Sequence, residues 1–575
     1  MLIKSLEELN KVKQQALEKV KIRQHRDAVQ TNKNILVCGG TGCLASDSDK
    51  VAKNLEVILK ARGLSDRIQV IRTGCFGFCE QGPIVKIEPD NVFYVRVGPK
   101  DAKDIVDMHL IKGSQVERLL YEDPQKKEKV HNQEDMTFYR KQLRVALRNC
   151  GLINPEDITE YIALNGYQAL GKALTQMSPT GVIDVIKRSG LRGRGGGGFP
   201  TGLKWEITGK QENSQKYIIC NADEGDPGAF MDRSILEGDP HSVIEAMAIG
   251  AYAIGAHMGI VYIRAEYPLA IARLTNALQQ ARDTGLLGKD IFGTGFSFDV
   301  KLKYGAGAFV CGEETALINS CEGKRGEPNY KPPYPAEEGY WGFPTCVNNV
   351  ETFANIPVIM NRGADWFASM GTGKSKGTKV FALAGKINNV GLVEVPMGIT
   401  LREIIFDIGG GIPHGRKFKA VQTGGPSGGV ITEENLDTPI DYDGLLKIGT
   451  MMGSGGMIVM DEDDNMVNIA KFYLEFTMDE ACGRCGPGRI GTKRLYEMLC
   501  KITSGEATMA DLDAIKQLAY MVKDSALCGL CQTAPNPVIS TMKYFWHEYL
   551  NFVQKEDHPH QEGKYASKNK TGVKS

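Results

Sequence analysis

The sequence has no excess of charge of either sign. Its 69 Lys and Arg residues are matched by 69 Asp and Glu residues, so the formal net charge at pH 7 is +0. Nonspecific binding to nucleic acid depends on an excess of cationic side chains that neutralise phosphates. The charge balance therefore argues against nucleic acid as a partner.

The sequence also lacks a long apolar run, and we expect no signal peptide. The residues after Met1 form a polar helix pattern without the apolar core that export requires. The most apolar stretch, 243–263, is interrupted by Glu245 and His257, which favours a buried helix followed by a strand. We therefore expect a cytoplasmic protein with no membrane insertion.

Cysteine is plentiful, with 14 residues, but its arrangement is not that of a disulfide framework. Eight cysteines fall into four close pairs, and such pairs in an intracellular protein typically bind metal. No cysteine follows Cys531. The pairs are Cys38/Cys43, Cys75/Cys79, Cys482/Cys485 and Cys528/Cys531.

A chain of 575 residues is expected to hold about four domains. The mixture of helix and strand patterns predicts a multidomain α/β and α+β fold. The predicted segments are an N-terminal docking helix (1–30), a small thioredoxin-like α/β domain (31–115), a polar linker (116–135), an α/β domain with a mostly parallel sheet (136–375), a β-rich module (376–465), a helical domain (466–555) and a disordered tail (556–575).

The first two cysteine pairs lie in glycine-rich loops that follow predicted strands. Four thiolates on two loops suit a [2Fe–2S] centre, with two cysteines on each iron. Zinc is the alternative, although structural zinc sites usually have two residues between paired cysteines. The segment 73–83, Thr-Gly-Cys-Phe-Gly-Phe-Cys-Glu-Gln-Gly-Pro, resembles the second loop of the thioredoxin-like [2Fe–2S] ferredoxins.

A glycine-rich segment with embedded cations spans 189–205 and reads Ser-Gly-Leu-Arg-Gly-Arg-Gly-Gly-Gly-Gly-Phe-Pro-Thr-Gly-Leu-Lys-Trp. Consecutive backbone N–H groups beside cations form an anion cradle, which predicts a phosphate-bearing cofactor. A flexible linker is the alternative, but linkers seldom end in such an aromatic and basic sequence.

Three further segments have an unusual density of acids and amides. An acidic turn, 221–228, follows a predicted strand; Gly312-Glu313-Glu314 begins a predicted helix; and Asn348-Asn349 lies near Thr352. Acids at a helix start are normally caps, and two adjacent asparagines are normally a turn. Taken together with the glycine segment, they form a specific combination.

These segments resemble the NADH-oxidising flavoprotein subunit of respiratory complex I and its soluble relatives, over about 138–553. The resemblance implies hydride transfer from NADH to FMN and one-electron exit to iron–sulfur clusters, with Glu224 and Asp226 as catalytic residues. The implied FMN contacts are Gly193, Arg194, Gly195, Gly198, Lys204, Asn221, Asp223, Glu224, Gly312, Glu313, Asn348, Asn349 and Thr352. The implied NADH contacts are Phe199, Lys204, Asp226, Phe309, Glu314, Lys331 and Tyr334.

Two cofactor-site positions depart from the usual family pattern: Asp226 stands where a glutamate is usual, and Gly197 where an alanine is usual. The family also has a β-grasp (SLBB) domain after the flavin domain, which 376–465 resembles. Within that module, Gly424–Gly429 lacks a Walker lysine, so a structural turn is expected rather than a second phosphate loop.

The C-terminal cysteines depart from the family pattern more strongly. The family holds a [4Fe–4S] cluster with three cysteines, each two residues from the next, and a distant fourth. Here Gly488 occupies the third position, Cys528 matches the fourth, and Cys531 replaces a usual glycine. Either Cys531 restores a four-thiolate [4Fe–4S] site, or the two pairs bind zinc.

The resemblance implies a subunit of an electron-bifurcating hydrogenase or transhydrogenase complex, with a small [2Fe–2S] subunit and a large iron–sulfur subunit as partners. Because no cysteine follows Cys531, contact with ferredoxin would be made through another subunit. The alternatives are the diaphorase subunit of an NAD-reducing hydrogenase or formate dehydrogenase and, outside catalysis, a zinc-bound nucleotide-binding scaffold.

Overall fold

The structure is a computed structural model that describes residues 2–24 and 32–553. The expected disordered tail, 556–575, lies outside the described residues. Helix α1 (Leu6–Gln24) buries an apolar face that includes Leu9 and Val20. At its end the buried guanidinium of Arg23 pairs with the Glu160 carboxylate at 2.6 Å. The N-terminal helix therefore docks within the chain, on the α/β domain predicted over 136–375, here called the flavin-type domain.

The thioredoxin-like domain is a four-stranded sheet of order β2-β1-β3-β4. β1 and β2 are parallel neighbours, so their carboxyl ends carry the two cysteine loops to the same edge of the sheet. The elements are β1 (Lys33–Cys38), α2 (Thr41–Ala45), α3 (Ser48–Ala61), β2 (Ile68–Thr73), β3 (Val85–Glu88), β4 (Val92–Tyr94) and α4 (Ala102–Asp104), which continues in wider turns over Ile105–Ile111.

The segment expected to be a polar linker, 116–135, is ordered and partly buried. It holds the short hairpin β5 (Tyr121–Glu122) and β6 (Lys129–Val130). Leu120 and Tyr121 are buried, and the Tyr121 hydroxyl donates to Asn389 Oδ1 at 3.0 Å. The segment therefore packs the N-terminal domain against the β-rich module predicted over 376–465, here called the β-grasp-type module. Its polar composition does not indicate this role.

The flavin-type domain is built on a parallel sheet of order β10-β7-β8-β9. The stretch 243–263 forms a buried helix and then a strand, as predicted. The elements are α5 (Thr137–Arg140), α6 (Ile158–Ala163), α7 (Gln168–Gln176), α8 (Pro179–Ser189), α9 (Thr201–Gly209), β7 (Tyr217–Ala222), α10 (Met231–Gly238), α11 (Pro240–Ile254), β8 (Met258–Arg264), α12 (Pro268–Asp283), β9 (Asp299–Gly305), α13 (Glu314–Cys321), β10 (Thr345–Asn349), α14 (Val350–Arg362) and α15 (Ala364–Ala368).

The β-grasp-type module follows as a mixed sheet of order β12-β11-β15-β13-β14. Its elements are β11 (Thr378–Gly385), β12 (Gly391–Pro396), β13 (Phe418–Thr423), β14 (Val430–Ile431), α16 (Tyr442–Lys447) and β15 (Gly456–Asp461). The last domain contains α17 (Met466–Glu480), α18 (Thr492–Thr503), α19 (Met509–Ser525), α20 (Gly529–Thr533), α21 (Asn536–Tyr544) and α22 (Trp546–Leu550). Across the described part of the chain, no helix combines the length and apolarity needed to span a bilayer.

Candidate functional site

A cleft of about 530 Å³ lies where the carboxyl ends of β7 and β10 meet the glycine segment. Ligands of parallel α/β sheets typically bind at this edge. The cleft brings together predicted residues from five separate segments. Those that line it are Gly193, Gly195, Gly198, Phe199, Lys204, Asn221, Asp223, Glu224, Asp226, Phe309, Gly312, Glu313, Glu314, Lys331, Asn348, Asn349 and Thr352.

The glycine segment forms a tight loop between α8 and α9. A side chain at Gly198, where φ is +62°, would place its Cβ 2.7 Å from the Tyr442 ring. A Cβ at Gly195 would lie 3.1 Å from the Asn349 side chain. A Cβ at Gly197, by contrast, meets nothing within 4 Å, so the departure from the usual alanine is sterically neutral.

The structure does not place Arg194 on the cleft surface. Its guanidinium is buried and donates to the carbonyl oxygens of Thr378 at 3.0 Å, Arg192 at 2.7 Å and Lys376 at 2.7 Å. Its backbone N–H donates to Thr352 Oγ1 at 2.8 Å. Arg194 thus fastens the loop to the start of the β-grasp-type module, and its guanidinium is engaged by carbonyl groups, while its contact with FMN stays a prediction.

Within the acidic turn, Asp223 has a buried carboxylate without hydrogen bonds to the described part of the chain. It is 8% exposed, and neither of its carboxylate oxygens has a hydrogen-bond partner among the described residues. Burial raises its pKa to about 7, although the charge of Arg264 acts in the opposite direction. A buried carboxylate without donors is costly unless a ligand supplies them. The site therefore fits a ligand that bears hydroxyl groups.

The two residues implied to be catalytic differ in their surroundings. The Glu224 carboxylate accepts the backbone N–H groups of Asp232 at 3.0 Å and Arg233 at 3.1 Å, so it caps the start of α10. Burial raises the pKa of Glu224. The Asp226 carboxylate accepts a hydrogen bond from the Ser454 hydroxyl, and burial raises its pKa to about 6. Of these two implied catalytic residues, Asp226 is the one whose pKa lies at about 6.

The two acids at the start of α13 have separate roles. Glu313 caps the helix by accepting the backbone N–H groups of Thr315 at 2.9 Å and Ala316 at 3.0 Å. Glu314 pairs with Lys204 at 3.2 Å and Lys331 at 2.8 Å. Burial alone would raise the pKa of Glu314, but the two ammonium groups hold it below its ordinary value.

The paired asparagines at the end of β10 position the cleft wall. Asn348 Oδ1 accepts from the Trp205 indole at 2.9 Å. Asn349 caps α14, accepting the Glu351 N–H at 2.9 Å, and donates to the Asp232 carboxylate at 2.5 Å. Both side chains therefore present fixed polar groups to the cleft.

Besides Arg194, one other predicted contact does not line the cleft, and two parts of the cleft were not predicted. Tyr334 is 54% exposed and is not among the residues that line the cleft. The β-grasp-type module contributes Gly424, Ser427, Met451, Gly453 and Ser454, and the last domain contributes Gly529 and Leu530. The glycine run 424–429 was a usable signal, since it forms a turn, as expected, and that turn also faces the cleft.

The first four cysteines converge at one edge of the thioredoxin-like sheet. Cys75 Sγ lies 3.7 Å from Cys79 Sγ, and the Cys38 thiol interacts with both Cys43 and Cys75. A Cβ at Gly82 would lie 2.6 Å from Cys43 Sγ, so glycine is required there. The donor set fits the two-loop thiolate ligation of a [2Fe–2S] cluster.

The helix α10 connects these cysteine loops to the cleft. Its first turn binds Glu224 at the cleft, and at its last turn Glu237 accepts the backbone N–H of Thr41 at 3.0 Å. A Cβ at Gly74 would lie 2.3 Å from Gly238 Cα. Eight helical residues span about 12 Å, so the two sites are close.

The last four cysteines include a pair that borders the cleft. Cys482 and Cys485 lie in the loop after α17, and Cys528 and Cys531 flank Gly529 and Leu530 at the start of α20. Within residues 2–24 and 32–553, no group of three or more His, Cys, Asp or Glu side chains is arranged to hold a single metal ion.

Comparison with protein families gives three matches. Residues 186–358 match the Nuo51 FMN-binding domain, 468–552 the NADH-ubiquinone oxidoreductase-F iron-sulfur binding region, and 24–109 the thioredoxin-like [2Fe-2S] ferredoxin family. The matches confirm the predicted N-terminal, flavin and C-terminal domain types. All three descriptions name FMN or iron–sulfur groups, and none supports zinc.

Similar proteins span most of the chain. The NADP-reducing hydrogenase subunit HndC of Solidesulfovibrio fructosivorans is 66% identical over 74% of this chain and 86% of its own length. An NADH-quinone oxidoreductase subunit of Escherichia coli (strain K12) is 42% identical over 69% of this chain and 89% of its own length. A crystal structure of an NAD+-reducing [NiFe]-hydrogenase in the H2-reduced state is similar, with a TM-score of 0.64 and 27% identity over 95% of this chain and 88% of that chain.

Proposed function

Because this chain belongs to the family of the FMN-binding and iron–sulfur-binding subunit of NADH-quinone oxidoreductases, we propose that it is the NAD(H)-dependent subunit of a cytoplasmic electron-bifurcating hydrogenase or transhydrogenase complex. When bound, FMN exchanges hydride with the nicotinamide and single electrons with iron–sulfur clusters. The chain's own residues bind, orient and shield these groups.

The unpartnered carboxylate of Asp223 is the observation that carries the flavin assignment. Its two oxygens are free to accept hydrogen bonds from the ribityl hydroxyls, beside Asn221, Asn348 and the backbone of the glycine loop. Because Arg194 is engaged elsewhere, backbone N–H groups rather than its guanidinium would hold the phosphate.

We assign the nucleotide as NAD(H) rather than NADP(H). Among the described residues that line the cleft, the cations are Lys204 and Lys331, and both pair with Glu314. An acid favours a ribose 2′-hydroxyl, whereas a 2′-phosphate requires an available cation. Phe199 and Phe309 supply aromatic surface at the cleft for the nicotinamide side.

The partner complex has two candidate forms. The 66% identity to a hydrogenase subunit supports a hydrogenase complex, in which we place a small [2Fe–2S] subunit, a large iron–sulfur subunit and, through them, ferredoxin. The similarity to an NAD+-reducing [NiFe]-hydrogenase over 95% of the chain favours a diaphorase subunit instead. Assays of the native purified complex separate them. A bifurcating complex couples ferredoxin and NAD(H) obligatorily, whereas an NAD-reducing hydrogenase that contains a diaphorase subunit reduces NAD+ with H2 alone.

The flavin assignment is tested by the pH dependence of FMN binding. Ligand hydroxyls donate to the ionised form of Asp223, so FMN binding lowers its pKa from about 7 and the affinity for FMN rises as pH increases from 6 to 8. We expect Asp223→Asn to weaken FMN binding at pH 8 by about tenfold, which is about 1.4 kcal/mol, and to flatten this slope.

Isothermal titration of the apo-protein with FMN measures both effects. Riboflavin serves as a second ligand, because it lacks the phosphate that itself titrates near pH 6. The exposed Asp184→Asn variant is the matched control. Equal slopes in the wild type and Asp223→Asn would contradict the assignment.

A further inference from the structure

We propose that Cys531 supplies the fourth thiolate of the C-terminal [4Fe–4S] site, in the space that a side chain at Gly488 would otherwise fill. The inference rests on the proposed function, in which the region 468–552 holds an iron–sulfur cluster. It assigns the ligand set Cys482, Cys485, Cys528 and Cys531, arranged as two pairs with two intervening residues in each.

The geometry at Gly488 carries this assignment. A side chain at this position would place its Cβ 2.8 Å from Cys531 Sγ and 3.1 Å from Cys485 Sγ. Real Cβ atoms do not approach other atoms as closely as the first distance, so residue 488 and the Cys531 thiol compete for one volume. The glycine at 488 and the cysteine at 531 therefore depend on each other. The Cys531 thiol fits only if residue 488 has no side chain.

The two loops that carry the thiols are fixed by hydrogen bonds outside the cysteines. Arg484 Nη1 donates to the Pro328 carbonyl at 2.7 Å, and Arg489 Nη1 donates to the Gly483 carbonyl at 2.5 Å. On the other side, Gln532 Nε2 donates to the Ala526 carbonyl at 3.0 Å. Cys531 is 2% exposed, so its thiol is directed into the protein. These contacts hold both pairs in place independently of the cluster.

A thiolate at Cys531 instead of at position 488 also changes how the cluster would be connected to the cleft. Gly529 and Leu530 line the cleft, and they lie between Cys528 and Cys531. With Cys531 as a ligand, two of the four thiolates belong to the segment that forms the cleft wall. Hydrogen bonding and exposure around the sulfurs set the cluster potential, so moving one thiolate from 488 to 531 is expected to change it.

Reciprocal variants test the assignment in the full chain, with iron content and low-temperature electron paramagnetic resonance as readouts. The wild type is expected to hold about six iron atoms, two from a [2Fe–2S] and four from a [4Fe–4S] cluster. Cys531→Gly should lose the [4Fe–4S] signal and about four iron atoms while it retains FMN and the [2Fe–2S] signal. The double variant Gly488→Cys, Cys531→Gly should regain the signal with altered g values and midpoint potential.

Cys500→Ala, which removes a thiol on α18 of the same domain, should leave both signals unchanged. Retention of the full [4Fe–4S] signal in Cys531→Gly, or its absence in the double variant while FMN and [2Fe–2S] are present, would overturn the ligand assignment. Zinc or no metal at this site in the wild type would also overturn it. A wild-type protein that does not bind FMN would instead contradict the proposed function. The iron content and the resonance signals would still test the ligand assignment in that case.

Discussion

The hydroxyl of Ser454 donates a hydrogen bond to the carboxylate of Asp226, although 228 residues separate them in the chain. The carbonyl oxygen of the same serine accepts a hydrogen bond from Lys379 Nζ at 2.6 Å, and Lys379 pairs with Glu351. A continuous set of polar contacts therefore runs from the acidic turn of the cleft, through the β-grasp-type module, to the start of α14.

The Ser454–Asp226 contact predicts a change in the pH dependence of activity. Burial raises the pKa of Asp226 to about 6, and the hydrogen bond from Ser454 keeps it from rising further. If the ionised carboxylate is the active form, activity is present above pH 6 and falls as the pH decreases through 6. Ser454→Ala should raise this pKa and move the acid limb of kcat/KM for NADH:viologen reduction upward by up to about one pH unit, or about 1.4 kcal/mol.

The Ser454→Thr variant is the control, since it keeps a hydroxyl donor at the same position. Its acid limb should stay with that of the wild type. An unchanged acid limb in Ser454→Ala would show that Asp226 does not control the reaction in this pH range.

Arg194 is predicted to act on FMN binding through the shape of the loop rather than through its charge. Arg194→Ala leaves one buried and two partly buried carbonyl groups without this donor, so the free energy of unfolding should fall by about 4 kcal/mol, together with loss of FMN. Urea unfolding of the apo-protein measures the first effect and fluorescence titration with FMN the second.

The exposed Arg188→Ala variant, one turn before the loop, should change neither quantity. An Arg194→Ala protein with wild-type stability and weakened FMN binding would indicate direct contact with the phosphate, contrary to the structure.

The sequence was sufficient where a local pattern carries the chemistry. The cysteine loops follow strands, and Asp223 and Asn348 lie at strand ends, so parallel neighbours bring them to one edge. The buried helix and strand of 243–263 followed from the interruptions at Glu245 and His257. In each case the informative spacing is local, within a single strand, helix or loop.

Local patterns failed where distant segments decide what a side chain contacts. Arg194 lies in a glycine-rich segment typical of phosphate binding, but its guanidinium donates hydrogen bonds to the carbonyl groups of Lys376 and Thr378. Ser454 lies between glycines, and nothing in that local sequence indicates its contact with Asp226. No spacing within the flavin domain encodes where the β-grasp-type module packs, so these contacts required the structure.

The buried pair of Lys379 and Glu351 is predicted to stabilise the joint between the two domains that form the cleft. Their side chains are 0% and 1% exposed and their charged atoms lie 2.5 Å apart, while Lys379 Nζ also donates to the carbonyl oxygens of Val380 and Ser454. Lys379→Met leaves the Glu351 carboxylate buried without a counter-charge, which should lower the free energy of unfolding by about 3–5 kcal/mol.

The double variant Lys379→Met, Glu351→Gln should regain more than half of that loss, because the unpaired charge is removed with its partner. The exposed Lys374→Met is the control for the loss of a lysine from the same segment. Urea unfolding monitored by circular dichroism gives all four free energies. Equal stability of Lys379→Met and the double variant would mean that the lost packing of the lysine, and not the stranded charge, sets the cost, since only the charge term differs between them.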